Sequence, residues 1–339
     1  MNKIAYIKAL SYYLPTFVLD NVSIQNDFPE WPSGKIFAKT GIKTRYISAK
    51  NQTSGDMAVE ASNKLFVEHN IDKLCIDYII LCTQSPDYFL PTTACLIQEK
   101  LGLSTSVGAL DINLGCSGYV YGLGLAKGLI MSGQANNILF ITAETYSKFI
   151  HPNDKGNKTI FGDAAAATLI SSENGFAEIL DFEYGTDGRG ANNLIVKNGA
   201  IRNNSKQVNK SNDNHDVLDD FLYMNGQEIF LFTLSSVPKL ISNTLEVNNI
   251  LKDNIDLFIL HQANRFMLES LKKKSKIEDY KFYVHLEDCG NTVSSTIPIA
   301  LYHAKVENKF LIGNHVLIAG FGVGYSWGGT ILKIVNPRS

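Results

Sequence analysis

Four apolar runs set the rhythm of this chain: "YIILCTQ" at 78–84, "NILFITA" at 137–143, "LFILHQA" at 257–263 and "HVLIAGF" at 315–321. Each has the length of a strand and is apolar at odd and even positions alike, as in a strand covered on both faces. Segments of helix length separate them. The pattern predicts an α/β protein whose parallel sheet carries helices on both sides.

The pattern also repeats. "IDYIILCTQ" from Ile76 resembles "IDLFILHQA" from Ile255, and Asn137 follows Asp77 by 60 positions while His315 follows Asp256 by 59. Two duplicated halves are therefore expected, 1–175 and 176–339. In register with the echo, each half has a loop that opens a helix, "LGCSGYVYG" around Cys116 and "CGNTVSSTIPIAL" around Asn291. Halves packed face to face bring these two residues together with His261, at the end of the third apolar run, because open α/β sheets keep their sites at the carboxyl ends of strands. "DFPEWPSGKIFAKTG" at 27–41, with two prolines around Trp31, reads as an irregular excursion, as does 172–216 with "GTDGRGANN" and "RNNSKQVNKSNDNHD".

Composition narrows the function class. A chain of 339 residues, 45% hydrophobic and 19% charged with a net charge of -2, has room for a large core and no global electrostatic reason to bind nucleic acid. The opening "MNKIAYIKAL" has lysines and no long apolar run, so neither a signal peptide nor a membrane span is expected and the protein reads as cytoplasmic. The five cysteines never fall as CxxC and the seven histidines form no HExxH pair, which argues against a disulfide framework and a metal site. No P-loop occurs, and the glycines of "GTDGRG" are in the wrong order for a dinucleotide fingerprint, so no cofactor is expected.

Cys116 has a distinctive setting. A thiol at a helix N-terminus meets the positive end of the macrodipole and unpaired N–H groups, both of which favour the nucleophilic thiolate. Gly115 and Gly118 allow a tight turn and close approach of a ligand; Gly122, Gly124 and Gly128 allow the helix to be buried. A small buried hydrophobe is the alternative, as for Cys75, Cys82, Cys95 and Cys289. His261 is read either as a strand-end functional group or as a core histidine, and Asn291 either as a polar ligand or as a helix cap.

Taken together these segments resemble one family, the β-ketoacyl-acyl-carrier-protein synthase III family of thiolase-like condensing enzymes. The likeness covers nearly the whole chain through "KTGIKTRYI", "SPDYFLPTTACLIQEKLG", "DINLGCSGYVYGLGLA", "TIFGDAAAATLI", "MNGQEIF", "LHQAN", "CGNT" and "FGVGYSWGG", in order and at matching spacing. The resemblance implies a thiolase-like αβαβα layered fold. It makes Cys116 the nucleophile, His261 and Asn291 the pair for condensation, and the backbone N–H groups of Cys116 and Val323 an oxyanion hole. It further implies an acyl-CoA and a malonyl thioester as substrates, an acyl carrier protein as partner, and a homodimer joined sheet edge to edge in which Leu90 reaches the other subunit's acyl pocket. Trp31, Lys39, Lys155 and Asn264 fall at substrate-binding positions. Lysines stand at 39 and 155 where the family has arginines, and Leu231 stands where a basic residue is expected. The arginine of the "HQAN" helix is displaced to Arg265; Lys272, Lys273, Lys274 and Lys276 are candidate replacements for carrier docking.

Three other readings compete. A plain acyltransferase of the same fold, acting on an amine or alcohol, needs no Asn291. A papain-like amidase has its cysteine near the mature N-terminus in a different signature. A non-catalytic subunit has no use for an intact Cys116.

Overall fold

The structure is a computed structural model that describes residues 3–202 and 217–336. Its main sheet has nine strands: β1 (Tyr6–Tyr13), β2 (Tyr78–Cys82), β3 (Gly108–Ile112), β4 (Asn137–Glu144), β5 (Ala164–Ser171), β6 (Ala177–Thr186), β7 (Leu257–Leu260), β8 (His315–Gly322) and β9 (Ser326–Ile334). They are ordered β7-β8-β9-β6-β1-β5-β4-β2-β3. All four apolar runs of the sequence form strands, buried on both faces over most of their length.

The order contains one motif twice. Outward from the centre, β1-β5-β4-β2-β3 in the first half is matched by β6-β9-β8-β7 in the second, followed by an isolated parallel bridge from Phe258 to Phe282 in the place of β3. β2 and β4 are parallel, as are β7 and β8, while the strands nearest the centre run antiparallel. The halves join where Tyr6 and Ile7 pair with Glu178 and Ala177. The echo in the sequence is the same local bond made twice. The Asn137 N–H donates to the Asp77 carboxylate at 2.9 Å, and the His315 N–H to the Asp256 carboxylate at 2.8 Å.

The sheet is thus mixed, not wholly parallel as the pattern predicts. Burial on both faces makes a strand apolar throughout whichever way it runs, so hydrophobicity does not encode direction. The excursion at 27–41 is also more regular than expected, since Ser33–Thr40 form a helix. Pro32 precedes its first turn and Gly41 closes it at φ 72°, the asymmetry that favours proline at helix starts and glycine just beyond helix ends. Of the polar run at 202–216, all but Arg202 lies outside the described residues.

Helices complete five layers. α1 (Ser54–Glu68) and α2 (Thr93–Lys100) cover the first half, and α4 (Gly226–Val247) covers the second with α5 (Arg265–Lys274) packed on it. Between the halves lie α3 (Gly118–Met131), touching β2 and β4 as well as β6, β8 and β9, and α6 (Thr296–Val306), touching β1, β5 and β7. α3 is apolar nearly all round because both of its sides are covered. A side chain at Gly122 would strike the Phe140 ring and one at Gly124 the Tyr184 hydroxyl, whereas Gly128 faces open space, contrary to the burial role expected of it.

Candidate active site

Cys116 lies two residues before the first residue of α3, buried to 5% exposure, in an apolar group with Tyr146, Phe161 and Val293. Strand β8 passes directly against it. A Cβ placed on Gly322 would sit 2.8 Å from the cysteine Cβ and 3.0 Å from its sulfur, so only glycine lets the strand come this close. The expected ready thiolate is not found. Burial, with the Glu144 carboxyl nearby, pushes the thiol up to about 12, because loss of water outweighs the peptide dipoles at the helix start.

His261 follows the end of β7, and its N–H donates to the Ala319 carbonyl of β8. Its ring packs edge-on against Phe321, one residue before Gly322, and its Nδ1 lies 2.7 Å from the Thr296 hydroxyl. That hydroxyl donates to the Val293 carbonyl at 3.1 Å, so it accepts from His261 and fixes the hydrogen on Nδ1, leaving Nε2 as a lone pair. Burial drives the imidazole down to about 3, and it is neutral at ordinary pH.

Asn291 is 4% exposed and caps no helix; Ser295 holds the N-cap of α6. The Asn291 carbonyl oxygen accepts from the Val293 N–H at 2.9 Å, which orients the amide and leaves its NH2 group as donor. Val293 has φ 55°, a rare conformation for a β-branched residue and a strain of the kind found at functional sites.

The contacts close a ring: Cys116 to Gly322, Phe321 to His261, His261 to Thr296, Thr296 to Val293, and Val293 back to Asn291 and to the apolar group around Cys116. At the candidate oxyanion position, among the described residues neither the Cys116 nor the Val323 N–H bonds a backbone carbonyl of the surrounding loops.

The other candidate residues lie farther out. The Lys39 and Lys155 ammonium groups stand 5.8 and 5.9 Å from the Trp31 ring centroid, and Lys155 is paired with Glu30 at 2.6 Å. Leu90 is 82% exposed beside exposed Tyr88 and Phe89. Asn264 caps α5 by accepting from the Met267 N–H, so only its NH2 group is open to a ligand. Arg265 bonds Glu287, and Lys272 bridges Glu269 and Asp279. Metal-ligand atoms of His285, His303 and Glu307 fall within 4.8 Å of one another, but the two imidazoles stack with centroids 3.8 Å apart, so their lone pairs run side by side, and no metal is assigned there.

Residues missed in the sequence include Gly322, Thr296, Ser294 and Glu144. Two signals were available: three consecutive hydroxyl residues, 294–296, just after Asn291, and one carboxylate closing the apolar strand "NILFITAE".

Comparison with known proteins agrees with this architecture. Residues 110–188 match the family model for 3-oxoacyl-[acyl-carrier-protein] synthase III, and residues 245–334 match the model for its C-terminal part. A β-ketoacyl-[acyl-carrier-protein] synthase III of Clostridium perfringens is 37% identical over 322 residues, covering 95% of this chain and 97% of that protein. A crystal structure of a 3-oxoacyl-(acyl-carrier-protein) synthase III superposes with a TM-score of 0.92 at 48% identity, covering 98% of this chain and all of that one. The crystal structure of a 3-oxoacyl-(acyl-carrier protein) synthase from Burkholderia xenovorans gives 0.89 at 35% identity, over 98% of this chain and 95% of the other. On this likeness across its length, the chain belongs to the 3-oxoacyl-[acyl-carrier-protein] synthase III family of condensing acyltransferases.

Proposed function

We propose that this enzyme works in two half-reactions on one cysteine. In the first, Cys116 attacks an acyl-CoA thioester, the acyl–sulfur bond to CoA breaks as the bond to Cys116 forms, and the thiol proton ends on the departing CoA sulfur. Because burial keeps the thiol protonated, a base must take that proton during attack, and the free Nε2 lone pair of neutral His261 is the group suited to it. The developing oxyanion is held by the Cys116 and Val323 N–H groups.

In the second half-reaction a malonyl thioester loses carbon dioxide, and its enolate carbon attacks the acyl group as the bond to Cys116 breaks, releasing a β-ketoacyl thioester and the Cys116 thiolate, which takes up one proton from solvent to restore the thiol. The enolate oxygen needs donors. The Asn291 NH2 group is one, and His261 is the other in the tautomer with its hydrogen on Nε2, reached when Nε2 takes up a proton and Nδ1 gives its own up, the Thr296 hydroxyl then turning to donate to Nδ1. The observation that carries this reading is the closed ring of contacts binding Cys116, His261 and Asn291.

The finer assignments follow the same reading. CoA lies along Trp31, Lys39 and Lys155 with Asn264 at the channel, and an acidic acyl carrier protein delivers the malonyl group. The active unit is a homodimer paired through the edge strand β3, with exposed Leu90 entering the other subunit's pocket. The halves divide near 175. No described helix is long and apolar enough to cross a membrane, and both substrates are water-soluble thioesters, so we place the reaction in the cytoplasm.

The test is intact-protein mass after exposure to a panel of acyl-CoA esters, run beside release of labelled carbon dioxide from a malonyl thioester. Wild type should gain one acyl group on Cys116 and then consume the malonyl thioester. Asn291→Ala should acylate normally while carbon dioxide release falls by about 10²-fold, as for the loss of one oxyanion donor. An enzyme that acylates an amine or alcohol and never consumes the malonyl thioester is the plain acyltransferase instead.

A further inference from the structure

Glu144 closes β4 with no solvent exposure at all, and it lies at the junction of the two halves. One carboxyl oxygen accepts from the Gln84 N–H at 3.1 Å and the Ser85 hydroxyl at 3.3 Å, in the loop that follows β2. The other accepts from the Ser294 hydroxyl at 2.9 Å, in the loop that carries Asn291. Two residues earlier on β4, Thr142 bonds the Ser295 hydroxyl through both its side chain and its carbonyl, at 2.8 and 3.2 Å. The next residue, Thr296, holds His261. Three consecutive hydroxyls therefore fasten the strained turn at Val293, two of them to β4 and one to the histidine.

A β-branched residue stays at positive φ only where its surroundings impose that conformation. The Val293 N–H in turn sets the direction of the Asn291 amide. From this geometry we propose that Glu144 is a positioning residue for the condensation half-reaction. Through Ser294 it holds the 293–295 turn against the first half, and so fixes where the Asn291 amide points. It touches no reacting atom in this role, and Cys116 is held separately by Gly322 and the start of α3. The inference rests on the assignment of Asn291 to condensation, so the experiment includes Asn291→Ala as its reference.

Glu144→Ala, Glu144→Gln, Ser294→Ala and Asn291→Ala are compared with wild type by acyl-enzyme mass and labelled carbon dioxide release, with circular dichroism to confirm folding. Ser294→Ala and Glu144→Ala should acylate within about threefold of wild type while condensation falls by about 10- to 100-fold, the scale of an error near 1 Å in placing a catalytic group. Glu144→Gln should recover most of the condensation rate, since its carbonyl oxygen keeps the Gln84 N–H and its amide reaches Ser294. If Glu144→Ala does not fold, Ser294→Ala decides, because it removes only the link to the Asn291 turn. Wild-type condensation in folded Ser294→Ala, or equal loss of both half-reactions, overturns the proposal. Wild-type condensation in Asn291→Ala overturns the underlying assignment instead.

Discussion

The Nδ1 atom of His261 lies 2.7 Å from the hydroxyl of Thr296, which itself donates to the Val293 carbonyl at 3.1 Å. One rotatable hydroxyl thus sets which imidazole nitrogen carries the hydrogen. Thr296→Val keeps the shape and removes that control while leaving the buried Nδ1 unpartnered. We expect both half-reactions to slow, condensation by about 10- to 100-fold, a smaller effect than the roughly 10⁴-fold of a tautomer error in a Ser-His-Asp triad. Thr296→Ser should restore them. Single-turnover acylation and carbon dioxide release check this.

Gly322→Ala tests the close passage of β8 along Cys116. The added methyl would stand 2.8 Å from the cysteine Cβ and 3.0 Å from its sulfur. The strand or the thiol must shift, at a cost of about 1–3 kcal/mol for an overpacked core site. The variant should melt earlier and acylate at least tenfold more slowly; the melting temperature and intact mass over time are the readouts.

Cysteine labelling separates reactivity from exposure. Among the five thiols Cys95 is exposed, while Cys116 is buried and held protonated. Iodoacetamide at neutral pH should therefore label Cys95 before Cys116, since the thiolate is the reactive form. An acyl-CoA should label Cys116 alone. Peptide mapping of both reactions distinguishes a substrate-activated thiol from a free thiolate.

Glu144 gives the fold a pH signature. Burial raises its carboxyl from 4.5 to about 8, so the folded protein holds this proton more tightly than the unfolded chain. The group is at no disadvantage below pH 4.5, and stability is lost progressively as pH rises toward 8. Glu144→Gln cannot ionise. Its stability relative to wild type should therefore increase between pH 5 and 8 and level off above, as followed by urea unfolding at each pH.

The same physics separates what was legible in the sequence from what was not. Apolar runs fully buried on both faces declare themselves in one dimension, so β2, β4, β7 and β8 were readable, and the repeated Asp77 and Asp256 spacing exposed the duplication because both aspartates bond the strand that pairs beside them. Local chemistry likewise marked Cys116, His261 and Asn291, each at the end or the opening of an element. Strand direction was not encoded, because burial makes a strand apolar whichever way it runs. Neither was the state of the thiol: the helix start favours a thiolate, and only the packing of β8 and Phe161 around Cys116 shows that desolvation wins. The aim of His261 and Asn291 depends on Thr296, Val293, Ser294 and Glu144, and of these Glu144 sits 150 residues from the serine it binds. Such bonds exist only once the two halves are packed together, so tertiary structure alone decided them.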